Sequence, residues 1–211
     1  MSEKGILVVV SGFAGSGKGT LMKMLLNQYD SYALSISATT RSPRPGEEDG
    51  REYFFKTLEE FQEMIEQGEF IEYAQYVNHY YGTPKAYVKS QLETGKDVIL
   101  EIEMQGALQV KKQFPETLLL FVTPPSAAIL YERLTGRGTE DKETITLRMA
   151  RAIEESKGIE QYDYLIVNDK LEECAAQMHA VIQNEHARTF RKKTLINTIR
   201  EGLTDFSEGA E

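Results

Sequence analysis

The chain has 211 residues, of which 41% are hydrophobic and 27% charged, with a formal net charge of −9. That length supports one domain, or one core carrying insertions, and that balance is ordinary for a globular protein with a proper core. The negative charge argues against a nucleic-acid polymer as partner, whereas a small anionic ligand needs only a local cationic pocket.

In chain order, Met1-Ser2-Glu3-Lys4 runs straight into the apolar Ile6–Val10 and lacks the make-up of a signal peptide. Nowhere does an apolar run reach bilayer-spanning length, so no membrane partner is expected. Ile6–Val10 reads as a buried strand, and Gly12-Phe13-Ala14-Gly15-Ser16-Gly17-Lys18 follows it directly. Strand, glycine-rich loop and helical sequence, here Lys18–Asn27, form the context in which a phosphate-loop match has physical content. Glycines let successive N–H groups turn inward on a polyphosphate, the helix aims its positive end at the same point, and Lys18 adds a cation. Gly19 stands where a magnesium-ligating hydroxyl is usual, with Thr20 behind it. Magnesium accompanying a bound polyphosphate is then expected to rest on phosphates and water, and Thr20 to donate to an inner phosphate.

Further strands are expected at Tyr32–Ile36, Val98–Ile102, Leu118–Val122 and Tyr164–Val167. Helices are expected at Gln105–Phe114, Ala127–Thr135, Glu143–Lys157 and Leu171–His186. Alternation of this kind predicts an α/β fold with a doubly wound, five-stranded parallel sheet, and places ligands beyond the C-terminal strand ends. The stretch from about 37 to 89 breaks the alternation. It is turn-rich at Pro43, Pro45, Gly46 and Gly50, strand-like at Arg51–Phe55, helical from the capping-box sequence Thr57-Leu58-Glu59-Glu60 to Gln67, and strand-like again over Phe70–Gly82. It reads as an inserted α+β subdomain, leaving a core of 1–36 and 90–186. Gly136-Arg137-Gly138 between two helices reads as a mobile lid over about 136–157. The 187–211 tail reads as a frayed helix and a disordered end. Cys174 is the single cysteine; it excludes a disulfide framework, reads as a core residue and favours a cytoplasmic location. His79, His179 and His186 lack ligand spacing, so no zinc site is expected.

The densest cationic feature is Arg41-Ser42-Pro43-Arg44, two arginines on a proline-stiffened loop, which reads either as a second anion site or as a solvated basic loop. The run Ser37-x-x-Thr40-Arg41-x-Pro43-Arg44-x-Gly46-Glu47, then Gly50-x-x-Tyr53, Phe70–Ala74, Tyr81-Gly82-Thr83 and Arg137-Gly138-Thr139-Glu140, resembles the guanylate kinase family over about residues 5–186. The resemblance implies a phosphate-loop kinase core with a GMP-binding insertion and a lid, catalysing ATP + GMP ⇌ ADP + GDP. It implies that Arg41, Arg44, Tyr53 and Tyr81 grip the GMP phosphate and that Ser37, Glu72, Thr83 and Glu103 surround the base. Glu72 suits that role chemically: a carboxylate accepts from guanine N1–H and N2–H₂ together, whereas adenine turns a lone pair toward it. Unpaired buried polar groups can reject a ligand by roughly 10⁴–10⁵-fold.

Glu101 and Glu103 stand where the family commonly carries aspartates; Glu101 is expected on the magnesium side, through water. The ATP set is expected to comprise Gly12 through Thr20 with Arg133 and Asn168, the latter against the base. Lys18, Arg44, Arg137 and Arg148 are the expected catalytic cations, since phosphoryl transfer asks for alignment and charge stabilisation. Gly17-Lys18-Gly19-Thr20 also resembles the adenylate kinase loop, which makes AMP the competing acceptor. Guanylate-kinase-like modules that only bind proteins form a competing class without turnover.

Overall fold

The computed structural model of the protein describes residues 4–76, 78–136 and 141–208. Five parallel strands, β1 (Leu7–Gly12), β2 (Tyr32–Leu34), β7 (Asp97–Glu101), β8 (Leu118–Thr123) and β9 (Tyr164–Val167), form a sheet in the order β2-β7-β1-β8-β9. β1 is central because its residues can be buried on both faces. Val8 and Val10 point into a cluster with α1 (Lys18–Gln28) and α7 (Leu171–Glu185). Val9 points into the opposite cluster with Val98, Leu100 and Leu119, covered by α3 (Lys85–Glu93) and α4 (Met104–Gln113). Each fully buried aliphatic side chain of this kind contributes about 1.5–3 kcal/mol of transfer free energy. α5 (Ala127–Thr135) and α6 (Lys142–Ser156) enclose a third cluster around Phe13 and Phe121.

A second, four-stranded sheet has the order β4-β3-β6-β5, from β3 (Ala38–Thr39), β4 (Phe54–Phe55), β5 (Phe70–Tyr76) and β6 (His79–Pro84). α2 (Leu58–Glu66) packs Phe61 against Phe70, with ring centroids 4.4 Å apart. Its start is a complete capping box: Glu60 N donates to Thr57 Oγ1 at 3.1 Å, and Thr57 N donates to Glu60 Oε2 at 2.8 Å. Two of the helix's orphan amides are thereby satisfied.

Several expectations are corrected. The 51–55 strand shrinks to β4, because the chain from Asp49 to Tyr53 turns back on itself, Gly50 N donating to Tyr53 O at 2.8 Å. The strand-like stretch over 70–82 resolves into the hairpin of β5 and β6. α3 begins before residue 90 and was missed: Pro84 is its N-cap and only Val88 is buried, so its apolar signal is weak. β2 stops at Leu34, where pairing with β7 ends. The tail carries the helical segment expected of it. It forms α8 (Lys193–Glu208), with Leu195, Ile199 and Leu203 at helical spacing on an exposed stripe. Cys174 lies in the core, and burial pushes its thiol up to about 11.

Candidate active site

At the C-terminal end of β1 the chain leaves the sheet and doubles back, Ser16 N donating to Phe13 O at 3.0 Å. Phe13 is held edge-on to Phe121, with centroids 5.0 Å apart, which pins the start of the loop to β8. Gly17 adopts φ +89°, and a Cβ there would sit 2.4 Å from Asn168 Nδ2, so both backbone and space demand glycine. Lys18 folds back over the loop, its Nζ donating to Phe13 O at 3.2 Å and also to Gly12 O. Burial lowers its pKa, while Glu101, Glu103 and Glu155 oppose that shift. Gly19 and Thr20 open α1 exposed to solvent. With Lys18, Glu101 and Arg148, they line a cavity of about 350 Å³ over the loop.

Asn168 and Arg133 hold the loop from behind. Asn168 Nδ2 donates to Ser16 O at 2.8 Å, Arg133 Nη1 donates to the same carbonyl at 3.3 Å, and Arg133 Nη2 donates to Asn168 O at 2.8 Å. Asn168 is buried. Both residues were expected at ATP; here Asn168 Nδ2 and Arg133 Nη1 both engage the Ser16 carbonyl of the loop.

The facing wall comes from the second sheet. Arg41 Nη2 donates to both Glu47 oxygens at 2.9 Å, and its guanidinium carbon lies 5.3 Å from the Tyr53 ring centroid. Tyr53 and Tyr81 lie ring to ring at 6.0 Å. Glu47 also accepts from Arg44 N at 2.8 Å, and this bond, with the Arg41 guanidinium, holds its carboxyl below the usual value. The tertiary structure thus joins Arg41, Tyr53 and Tyr81 on one patch, whereas the Arg44 residue is exposed.

Glu72 is buried, and Thr83 Oγ1 donates to its Oε1 at 2.7 Å. Burial raises its pKa and the Thr83 bonds oppose that rise. Gly106 makes room for the carboxylate: a Cβ there would lie 3.2 Å from Glu72 Oε2. Ser37, Glu72, Tyr81 and Glu103 share a cavity of about 440 Å³. A further cavity of about 410 Å³ is lined by Lys18 together with Ser37 and Tyr53. Glu101, at the end of β7, borders all three cavities. Although water reaches it, the protein crowded around it raises its pKa, with Lys18 acting in the opposite sense.

Sequence reasoning missed two residues that line these cavities. Ser35 lines the shared cavity with a buried hydroxyl that has no hydrogen-bond partner among the described residues. Arg151 lines the Glu72 cavity and bonds Glu103; its signal was the three-residue step from Arg148 on one helix face. Arg137 falls in residues 137–140, outside the described residues.

A parallel sheet whose first strand feeds a glycine loop and helix, faced across a cleft by a small second sheet bearing an arginine–tyrosine patch, defines a nucleotide-binding protein of the phosphate-loop class. The guanylate kinase family model matches residues 4–185. A guanylate kinase of Streptococcus thermophilus is 48% identical over 206 residues, covering 97% of each chain. One from Clostridioides difficile is 50% identical over 194 residues, covering 92% of this chain and 95% of that one. The crystal structure of a guanylate kinase from Anaplasma phagocytophilum superposes with a TM-score of 0.70 at 31% identity, covering 90% of both chains. The chain belongs to the guanylate kinase family.

Proposed function

We propose that the protein transfers the γ-phosphoryl group of ATP to GMP, giving ADP and GDP. The observation that carries this reading is that Lys18 of the phosphate loop lines one cavity together with Ser37 and Tyr53 of the facing wall. A donor's terminal phosphate over Lys18 would then face an acceptor's phosphate against the tyrosine patch without crossing bulk solvent.

The donor's inner phosphates would rest on the amides from Gly12 to Thr20, with Lys18 swinging from the Gly12 and Phe13 carbonyls to follow the migrating charge. Arg148 would meet that charge from α6, and Arg137 from the neighbouring lid segment. Arg133 and Asn168 would act one step back, fixing the Ser16 carbonyl and so the aim of the loop's amides. Arg41, Tyr53 and Tyr81 would receive the GMP phosphate. The exposed Arg44 would turn inward as the acceptor binds. Glu72, held by Thr83, would accept from guanine N1–H and N2–H₂, with Ser37 and Glu103 completing the base pocket.

Magnesium would enter as part of the MgATP substrate and supply neutralisation of the phosphate charge. Its fit would be through phosphates and water: Gly19 offers no hydroxyl, and Glu101, which borders all three cavities, would reach the ion through a bound water. Among the described residues, no helix is long and apolar enough to cross a membrane. The nucleotide substrates fit a cytoplasmic location.

A coupled ADP-release assay with GMP, AMP, UMP and CMP tests the proposal. Strong preference for GMP is expected. Equal turnover of AMP would make the enzyme a general purine kinase, and no turnover with any acceptor would refute the reaction.

A further inference from the structure

α6 carries Arg148, Arg151 and Glu155 on one face, at steps of three and four residues. That face runs along both compartments of the cleft. Arg148 borders the loop cavity with Lys18, and Arg151 borders the cavity of Glu72 and Tyr81. Arg151 Nε donates to Glu155 Oε1 at 3.0 Å, and its Nη2 donates to Glu103 Oε2 at 3.1 Å. One planar guanidinium therefore holds a carboxylate of its own helix and a second one at the start of α4, 48 residues away in sequence. The two carboxylates are unlike: the Glu155 side chain is 15% exposed and that of Glu103 is 66% exposed. The covered Glu155 is thus the anchor, and Glu103 is the arm that would otherwise sample many rotamers over the acceptor cavity.

We propose that Arg151 is a positioning residue for acceptor recognition: anchored by Glu155, it fixes the Glu103 carboxylate at the rim of the acceptor cavity and ties α6 to occupancy of that cavity. The inference rests on the assignment of that cavity to GMP. A glutamate already ordered spares the incoming nucleotide the entropy of ordering it, an effect worth about two- to tenfold in affinity. The fork geometry matters, because a lysine would serve one carboxylate at a time.

The test is GMP titration calorimetry, together with initial rates in GMP and in ATP, on wild type, Arg151→Gln, Arg151→Lys, Glu103→Asp and the Arg151→Gln/Glu103→Asp double variant. Arg151→Gln should weaken GMP by about two- to tenfold in both Kd and KM, leave the KM for ATP unchanged and leave kcat near wild type. Glu103→Asp, one methylene too short for the bridge, should produce the same loss, and the double variant should be no worse than either single change. Arg151→Lys should recover part of the affinity. An unchanged GMP affinity in Arg151→Gln, equal losses for GMP and ATP, full additivity in the double variant, or a kcat loss at constant KM would each overturn the role. Wild type that fails to bind GMP at all would instead overturn the proposed function, which separates the two failures.

Discussion

Replacing Asn168 with alanine distinguishes a clamp on the phosphate loop from a contact to the donor base. The amide lost is the one that donates to Ser16 O at 2.8 Å in a buried setting, while the 3.3 Å bond from Arg133 to the same carbonyl remains. A lost hydrogen bond with a partly compensated acceptor is worth about 1 kcal/mol, near the middle of the usual range. For a chain of this size that lowers Tm by about 2–4 °C. The same loosening lets the Gly15–Lys18 backbone sample other conformations, so the triphosphate must order it on binding, and KM for the donor should rise by about fivefold to tenfold. The assay is steady-state kinetics at saturating GMP with ATP and, separately, GTP as donor. Backbone amides see only phosphates, so a clamp predicts equal proportional losses for both donors. A loss confined to ATP would refute the clamp and restore Asn168 to the base.

Glu72→Gln should raise KM for GMP sharply, since a neutral amide cannot accept from both guanine donors, with a smaller effect on ATP. Because burial disfavours the ionised Glu72, the variant should melt no lower than wild type; a lower Tm with unchanged KM would refute the assignment. The same raised pKa makes the folded chain bind more protons than the unfolded one above the ordinary value of 4.5. This group's contribution to stability is therefore greatest at low pH and falls as pH rises through the raised value. Guanine's donors favour the ionised form, so GMP affinity should increase with pH over that window with release of a proton, detectable by calorimetry in two buffers of different ionisation enthalpy. Uptake of a proton would reverse the argument. Gly17→Ala places a Cβ 2.4 Å from Asn168 Nδ2 at φ +89°, adding about 1–2 kcal/mol of left-handed strain to the clash. Donor binding should fall at least about tenfold while GMP binding persists; loss of both together would indicate general unfolding instead.

Much of this molecule was written in local patterns. The continuous apolar runs around Val9, Leu100 and Leu119 demanded strands covered on both sides, and the glycines after Val10 demanded a loop open to phosphate. Thr57 and Glu60 demanded a helix start, because a capping box is closed within four residues. What no local pattern held was which polar groups would spend their hydrogen bonds on one another. Asn168 meets Ser16 across 152 residues, and Arg151 meets Glu103 across 48. Thr83 turns its hydroxyl onto Glu72 only because β5 and β6 pair antiparallel, and Gly106 leaves the carboxylate its space only because α4 packs against β5. The sequence by itself determined the elements and the chemistry available at each position. The tertiary structure decided which of those groups face a ligand and which hold its cradle, because that choice depends on distances between segments that only packing brings together.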